Sequence, residues 1–67
     1  MSAVTVNGRE HELEPGETVA RLIERLGLGA RYALVERNGE PVERAAYPDT
    51  ELASGDVVIV ARPVAGG

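Results

Sequence analysis

The 67-residue chain contains no cysteine and no lysine. Without cysteine there is no disulfide framework, no thiolate zinc site and no side-chain sulfur nucleophile. Long apolar runs are missing too. The longest spans residues 57–61, far short of the ~20 residues a helix needs to cross a bilayer. Residues 1–6 show neither a basic leader nor a long apolar region, so no secretion signal is expected, and a small unstapled domain reads as cytoplasmic. Positive charge is in deficit: seven arginines face eleven acidic residues, for a formal net charge of −4. That balance argues against a nucleic-acid partner, because such binding depends on neutralising phosphates. A chain this short buries only about 60% of its unfolded surface, which leaves little room for a deep catalytic pocket.

What is present reads as one domain over residues 1–67. Val4 and Val6 alternate with Thr5, and Asn7-Gly8 supplies the residue pair that best tolerates a type I′ hairpin turn. The return segment alternates as well, placing Glu10, Glu12 and Glu14 on one face and His11 and Leu13 on the other, before Pro15-Gly16 ends it. Thr18 is an N-cap candidate. Val19, Leu22, Ile23 and Leu26 follow at helical spacing, and Gly27 stands where the helix must stop. Residues 32–36 are rich in strand formers. Asn38-Gly39 gives a second turn, Val42 is expected to begin a short return strand, and residues 47–50 read as an irregular crossover with at most a helical turn. Ser54-Gly55-Asp56 then turns the chain into the apolar run.

This order predicts an α+β fold in which a single helix lies across one face of a mixed sheet. The first and last strands, the most hydrophobic, are expected side by side and parallel at its centre, with the helix in the crossover. That is the β-grasp arrangement. The predicted core is Val4, Val6, Leu13, Val19, Leu22, Leu26, Val35, Val58 and Val60. Alternation then turns Val57, Ile59 and Ala61 outward as a candidate partner-binding face.

Motifs for other chemistries are weak. His11 is the single histidine and has no ligand partners at metal spacing, so it reads as an ordinary strand position. Glu10, Glu12 and Glu14 read as a solvated strand face rather than a cation site. Neither a dinucleotide-binding glycine loop nor a phosphate-cradling Gly-Lys-Ser/Thr motif occurs. No metal or cofactor is therefore expected on the chain itself, and no catalytic residue. The end of the sequence is more informative. Residues 62–67 thin out through Val64 and Ala65 to Gly66-Gly67, a tail expected to be flexible. Its terminal glycines can thread a narrow channel and expose the α-carboxylate to another enzyme.

Taken in order, Val4-Thr5-Val6-Asn7-Gly8, Gly16-Glu17-Thr18-Val19 with Leu22, Asn38-Gly39-Glu40, Gly55-Asp56-Val57-Val58 and Val64-Ala65-Gly66-Gly67 resemble the ThiS/MoaD sulfur carriers, nearest to the ThiS branch. The likeness covers essentially the whole chain. It departs at Val42-Glu43-Arg44, where the family often has Val-Pro-Arg, and at Tyr47, near where many members carry Trp. The resemblance implies a ubiquitin-like β-grasp fold and a carrier rather than an enzyme. It implies that a ThiF-like adenylyltransferase uses ATP to activate the Gly67 carboxylate. A persulfide donor then converts Gly67 to a thiocarboxylate, and the thiazole synthase ThiG takes the sulfur for thiamin. Gly66, Ala65 and Val64 would thread the tail into these partners. Three other roles stay open on sequence grounds. They are MoaD-type sulfur delivery to molybdopterin or another thiolation pathway, ubiquitin-like protein modification, and a non-covalent binding module for which Gly67 is dispensable. Without lysine, a modifier of this sequence could not build lysine-linked chains on itself.

Overall fold

The computed structural model describes residues 2–29 and 33–61. Its elements are β1 (Ala3–Val6), β2 (Arg9–Glu12), α1 (Val19–Arg25), β3 (Leu34–Arg37), β4 (Glu40–Val42), a 3₁₀ helix over Arg44–Asp49, and β5 (Val57–Ala61). The five strands form one mixed sheet in the order β2-β1-β5-β3-β4. The first and last strands run parallel at its centre, Thr5 opposite Val57 and Val6 opposite Val58, while every other pairing is antiparallel. This is the expected β-grasp topology.

Both hairpins turn on Asn-Gly. Asn7 and Asn38 hold φ of 51° and 52°, and the glycines that follow hold 82° and 85°. Two successive positive φ values define a type I′ turn, and its twist matches that of the strands it joins. Such a two-residue turn sets Glu40 directly opposite Arg37, so the return strand starts at Glu40 and ends at Val42. Sequence reasoning placed Val42 at its beginning. Pro41 is accommodated because β4 is an edge strand. On the other side of the hairpin, β3 begins at Leu34 and runs to Arg37; the expectation of a strand at Tyr32 falls outside the described residues.

Helix α1 is capped as expected. The Thr18 hydroxyl accepts from the Arg21 amide at 3.2 Å, satisfying one of the first-turn donors. Gly27, at φ 67°, takes the left-handed conformation that stops the helix, and its amide donates to the Glu24 carbonyl. Val19, Leu22 and Ile23 are wholly buried beneath it. Leu26 is the helix C-cap and only partly buried, so it packs at the margin of the core rather than inside it. Ala33, Tyr47 and Leu52 join the core from the crossover segments. Tyr47 can be buried because its hydroxyl donates to the Ala33 carbonyl at 2.8 Å, which removes the penalty for an unpaired polar group.

A buried carboxylate ties the segment before α1 to the helix. Glu17, 4% exposed, receives the Arg25 guanidinium as a fork, Nε to Oε2 at 2.7 Å and Nη2 to Oε1 at 2.9 Å. The same Nη2 reaches the Glu12 carbonyl at the end of β2. Glu14 turns toward this group, 3.6 Å from Arg25. It therefore leaves the row that strand alternation assigned it with Glu10 and Glu12, since β2 ends at Glu12.

Leu22→Ala removes a fully buried side chain, a change that costs about 2–5 kcal/mol in comparable cores. A clearly lowered melting temperature is expected in a thermal scan. An unchanged melt would show that the α1 stripe does not carry the core.

Candidate functional site: the outer face of β5

Strand β5 alternates strictly. Val58 and Val60 point into the core, while Val57 and Ile59 are each 49% exposed and Ala61 is exposed beside them. The apolar run is thus covered on one side and open on the other. Register extends the open side across the sheet. Leu34, the most exposed large apolar side chain described at 57%, lies opposite Ala61, and Glu36 lies opposite Ile59 and Pro41. Leu34, Glu36, Pro41, Ile59 and Ala61 border a shallow groove of ≈ 330 Å³. Toward the other edge, Thr5 is opposite Val57 and Glu10 is opposite Thr5. The face is therefore an apolar stripe along β5 with carboxylates on both flanks.

Sequence reasoning found Val57, Ile59 and Ala61 but not Leu34 or Pro41. The alternation Leu34-Val35-Glu36 contained the signal for Leu34. Reading it requires knowing that β3 is the neighbour of β5, and that pairing is non-local. The other site residues named from the sequence, Val64, Ala65, Gly66 and Gly67, lie outside the described residues. Ala61 is the last residue of β5 and leads directly to them.

Two asparagines and an aspartate hold β5 in place. At its start, the Val57 amide donates to Asn38 Oδ1 at 2.9 Å, and the Asn38 amide donates to the Val57 carbonyl at 2.7 Å. Asn38 Nδ2 then donates to Asp56 Oδ1. Asp56 Oδ2 accepts from Arg37 Nε at 2.9 Å and from the Ala53 amide at 2.8 Å. Asp56 is 7% exposed. Burial pushes its carboxyl pKa up, but the Ala53 amide, Asn38 and Arg37 together outweigh it and hold the pKa below the ordinary 3.8. Glu17 is likewise held below 4.5, chiefly by its hydrogen bond from Arg25, against the opposing effect of burial. At the far end of β5, Asn7 Oδ1 accepts from the Val60 amide at 2.9 Å and Nδ2 donates to the Val60 carbonyl at 3.1 Å. The Asn-Gly pairs were legible as turns. Their side-chain role was not, because it depends on which strand lies alongside.

Elsewhere, His11 is half-buried opposite Val4, as an ordinary strand residue. Among the described residues no group of three or more potential ligands could hold a metal ion, and no helix is long and apolar enough to cross a membrane.

The sheet order, with α1 packed across one face, defines a ubiquitin-like β-grasp domain. Its relatives narrow that class. The ThiS family model matches residues 4–67. The crystal structure of the thiamine biosynthesis protein ThiS from Geobacter metallireducens superposes with a TM-score of 0.80 at 35% identity, covering 97% of this chain and 99% of that one. An NMR solution structure of a thiamine biosynthesis protein from the same organism gives a TM-score of 0.74, again at 35% identity, over 97% of this chain and 87% of that one. A thiazole synthase of Paramagnetospirillum magneticum is 31% identical over 64 residues, 96% of this chain. The chain spans about a fifth of that protein's length (20%). The chain belongs to the ThiS family.

Because both buried carboxylates titrate lower in the folded chain than in the unfolded one, each contributes stability that is fully present above its ordinary pKa. That contribution is lost as pH falls through the folded value. Thermal melts taken from pH 7 downward should hold steady and then fall once the pH drops below 4.5 and 3.8, the ordinary values for Glu17 and Asp56. Glu17→Gln should melt lower at pH 7 and show a shallower acid slope. Equal slopes for wild type and variant would remove Glu17 from this account.

Proposed function

We propose that the chain is a sulfur carrier for thiamin thiazole synthesis, a recycled co-substrate whose Gly67 carboxylate becomes a thiocarboxylate. The observation that carries this reading is the ThiS family match, which runs through Gly66 and Gly67. The chemistry answers a clear need. A carboxylate is a poor electrophile, and its attack on the α-phosphate of ATP, with loss of pyrophosphate, gives an acyl-adenylate with a good leaving group. A ThiF-like adenylyltransferase would perform that step with its own bound ATP. The terminal sulfur of a persulfide donor then displaces AMP to give an acyl disulfide. A thiol reductant attacks the donor's sulfur in that S–S bond, forming a disulfide with the donor and releasing the thiocarboxylate on Gly67. In a chain without cysteine, the backbone terminus is the place where such sulfur can ride.

Similarity to a segment of a thiazole synthase supports a thiazole-forming enzyme of the ThiG kind as the acceptor. In the proposed complexes Val57, Ile59 and Ala61, with Leu34 beside them, form the docking face, and Val64, Ala65 and Gly66 thread toward the partner's active site. An apolar stripe open to solvent fits contact with another protein. Its flanking Glu10 and Glu36 favour a partner surface with a basic rim, and cytoplasmic partners suit a cysteine-free carrier.

Each part of this reading fails differently. Purified chain, ATP, the adenylyltransferase and a sulfur donor should together give an intact-mass gain of one oxygen-for-sulfur exchange, localised to the C-terminal peptide. Deleting Gly67, or appending Ala after it, should abolish that gain, because reactivity falls about 100-fold when reacting atoms are misplaced by about 1 Å. Gly66→Ala should still bind through the sheet face and react slowly. A Gly67 deletion that gains the same mass, or a wild type that never does, overturns the carrier reading. An isopeptide ladder on other proteins would assign the activated terminus to protein modification instead.

Ile59→Asp tests the docking face by itself. It places a charge at an exposed position, so the fold and melting temperature should hold while KM for adenylation rises. Wild-type kinetics in a folded Ile59→Asp protein would show that the partner docks elsewhere.

A further inference from the structure

The two Asn-Gly turns carry a reactivity of their own. In such a pair the glycine amide nitrogen can attack the carbonyl carbon of the preceding side chain, because glycine has no Cβ to block the approach. The bond from that nitrogen to Cγ forms, the Cγ–Nδ2 bond breaks, and ammonia leaves with the proton of the glycine amide. The product is a five-membered cyclic imide. Solvent water then adds to one of its two carbonyls and opens the ring, giving either aspartate or isoaspartate, whose main chain runs through Cγ. Asn7 and Asn38 are both exposed, so water reaches either ring.

The observed turns hold both side chains away from closure. Closure needs the glycine nitrogen eclipsed with Cβ about the asparagine Cα–C bond. In a type I′ turn, the geometry at Asn7 (φ 51°) and Asn38 (φ 52°), ψ of about +30° points that nitrogen nearly opposite to Cβ. The other two-residue hairpin turn, type II′, keeps a positive φ at this residue, and its ψ of about −120° brings the two together. A flip of the one peptide between Asn and Gly converts the first turn into the second without parting the strands. Glycine accepts the reversed φ that the flip demands.

What restrains the side chains is β5, and its hold on the two differs. Each carboxamide accepts one β5 amide on Oδ1 at 2.9 Å, from Val60 at Asn7 and from Val57 at Asn38. The donors part company. Asn7 Nδ2 donates to the neutral Val60 carbonyl at 3.1 Å, one residue from the end of the strand. Asn38 Nδ2 donates at 3.0 Å to the carboxylate of buried Asp56, whose other oxygen is fixed by Arg37 and the Ala53 amide. A bond to a charged acceptor is roughly twice as strong as a neutral one. The Asp56 charge also opposes the negative oxygen that develops on Asn38 Cγ during attack, and the second carboxylate that hydrolysis leaves there. We propose that Asn7-Gly8 is a self-modification site of the folded chain, closing to the imide and opening to aspartate or isoaspartate ahead of Asn38-Gly39. Either product deprives the Val60 carbonyl of its donor. The inference does not depend on the carrier reading, since it needs no partner.

The test incubates full-length protein in mildly alkaline buffer, folded and in urea, and follows conversion by peptide mass spectrometry. Cleavage after arginine separates the sites, residues 1–9 from residues 38–44. Each folded-state rate is divided by the rate of the same site in urea. Asn7 should retain about tenfold more of its urea rate than Asn38, the difference between a charged and a neutral hydrogen bond. Conversion through global unfolding alone slows both sites by one common factor. Asp56→Asn removes the charge beside Asn38 and should speed conversion there more than at Asn7. Equal factors at the two sites, a faster Asn38, or no conversion of Asn7 in the folded chain overturns the proposal. Should Asp56→Asn not fold, the wild-type ratio decides by itself.

Discussion

The parallel pairing of β1 with β5 is the constraint from which the rest of this small domain follows. Neighbouring parallel strands cannot be joined by a tight turn, so the chain must leave the sheet, cross it and return. Here the crossing includes α1, whose Val19, Leu22 and Ile23 cover the inner face that Val4, Val6, Val58 and Val60 present. The intervening β3–β4 hairpin then fills the free side of β5. Once β5 is enclosed by strands on both sides, its backbone is fixed and only its outward side chains remain available. A fold with little core to spare thereby places its most apolar strand at the centre of the sheet, flanked on both sides.

Polar groups do much of the fixing. Glu17 and Asp56 are the buried charged residues among those described, and each is fully engaged by hydrogen bonds. No buried side-chain nitrogen or oxygen described lacks a partner. Glu17 joins β2, the loop before α1 and the helix end through Arg25. Asp56 joins the second hairpin to the start of β5. Neither group lies on the open face, so their loss in acid acts on the frame rather than on the exposed stripe.

Local signals in the sequence carried most of this. The Asn-Gly turns, the Thr18 cap, the α1 stripe and the Gly27 stop depend on residues a few positions apart, and each forms where its pattern requires. The inward and outward alternation of β5 was legible for the same reason. Errors arose where the deciding neighbour is distant in sequence. Leu26 fits the helical stripe but falls at the helix end and is only partly buried there. Glu14 continues the strand alternation on paper, yet Arg25 draws it away after β2 has ended. Leu34 joins the face through its register with Ala61, and Asn7 and Asn38 reveal their second function only beside β5. The tail motif is a matter of composition and resemblance, and it lies outside the described residues.

The two edge strands determine how this molecule can be approached. β2 carries Arg9-Glu10-His11-Glu12, and β4 is three residues long with Pro41 at its middle. Charge on one rim, and on the other a residue without an N–H, both discourage another chain from adding a strand. A protein with an open apolar sheet face would otherwise be prone to stacking and to fibrous association. With its rims closed, it meets other molecules broadside, through side chains rather than main-chain ladders. Contacts of that kind share no main-chain ladder, so the two surfaces can part without breaking a strand pairing.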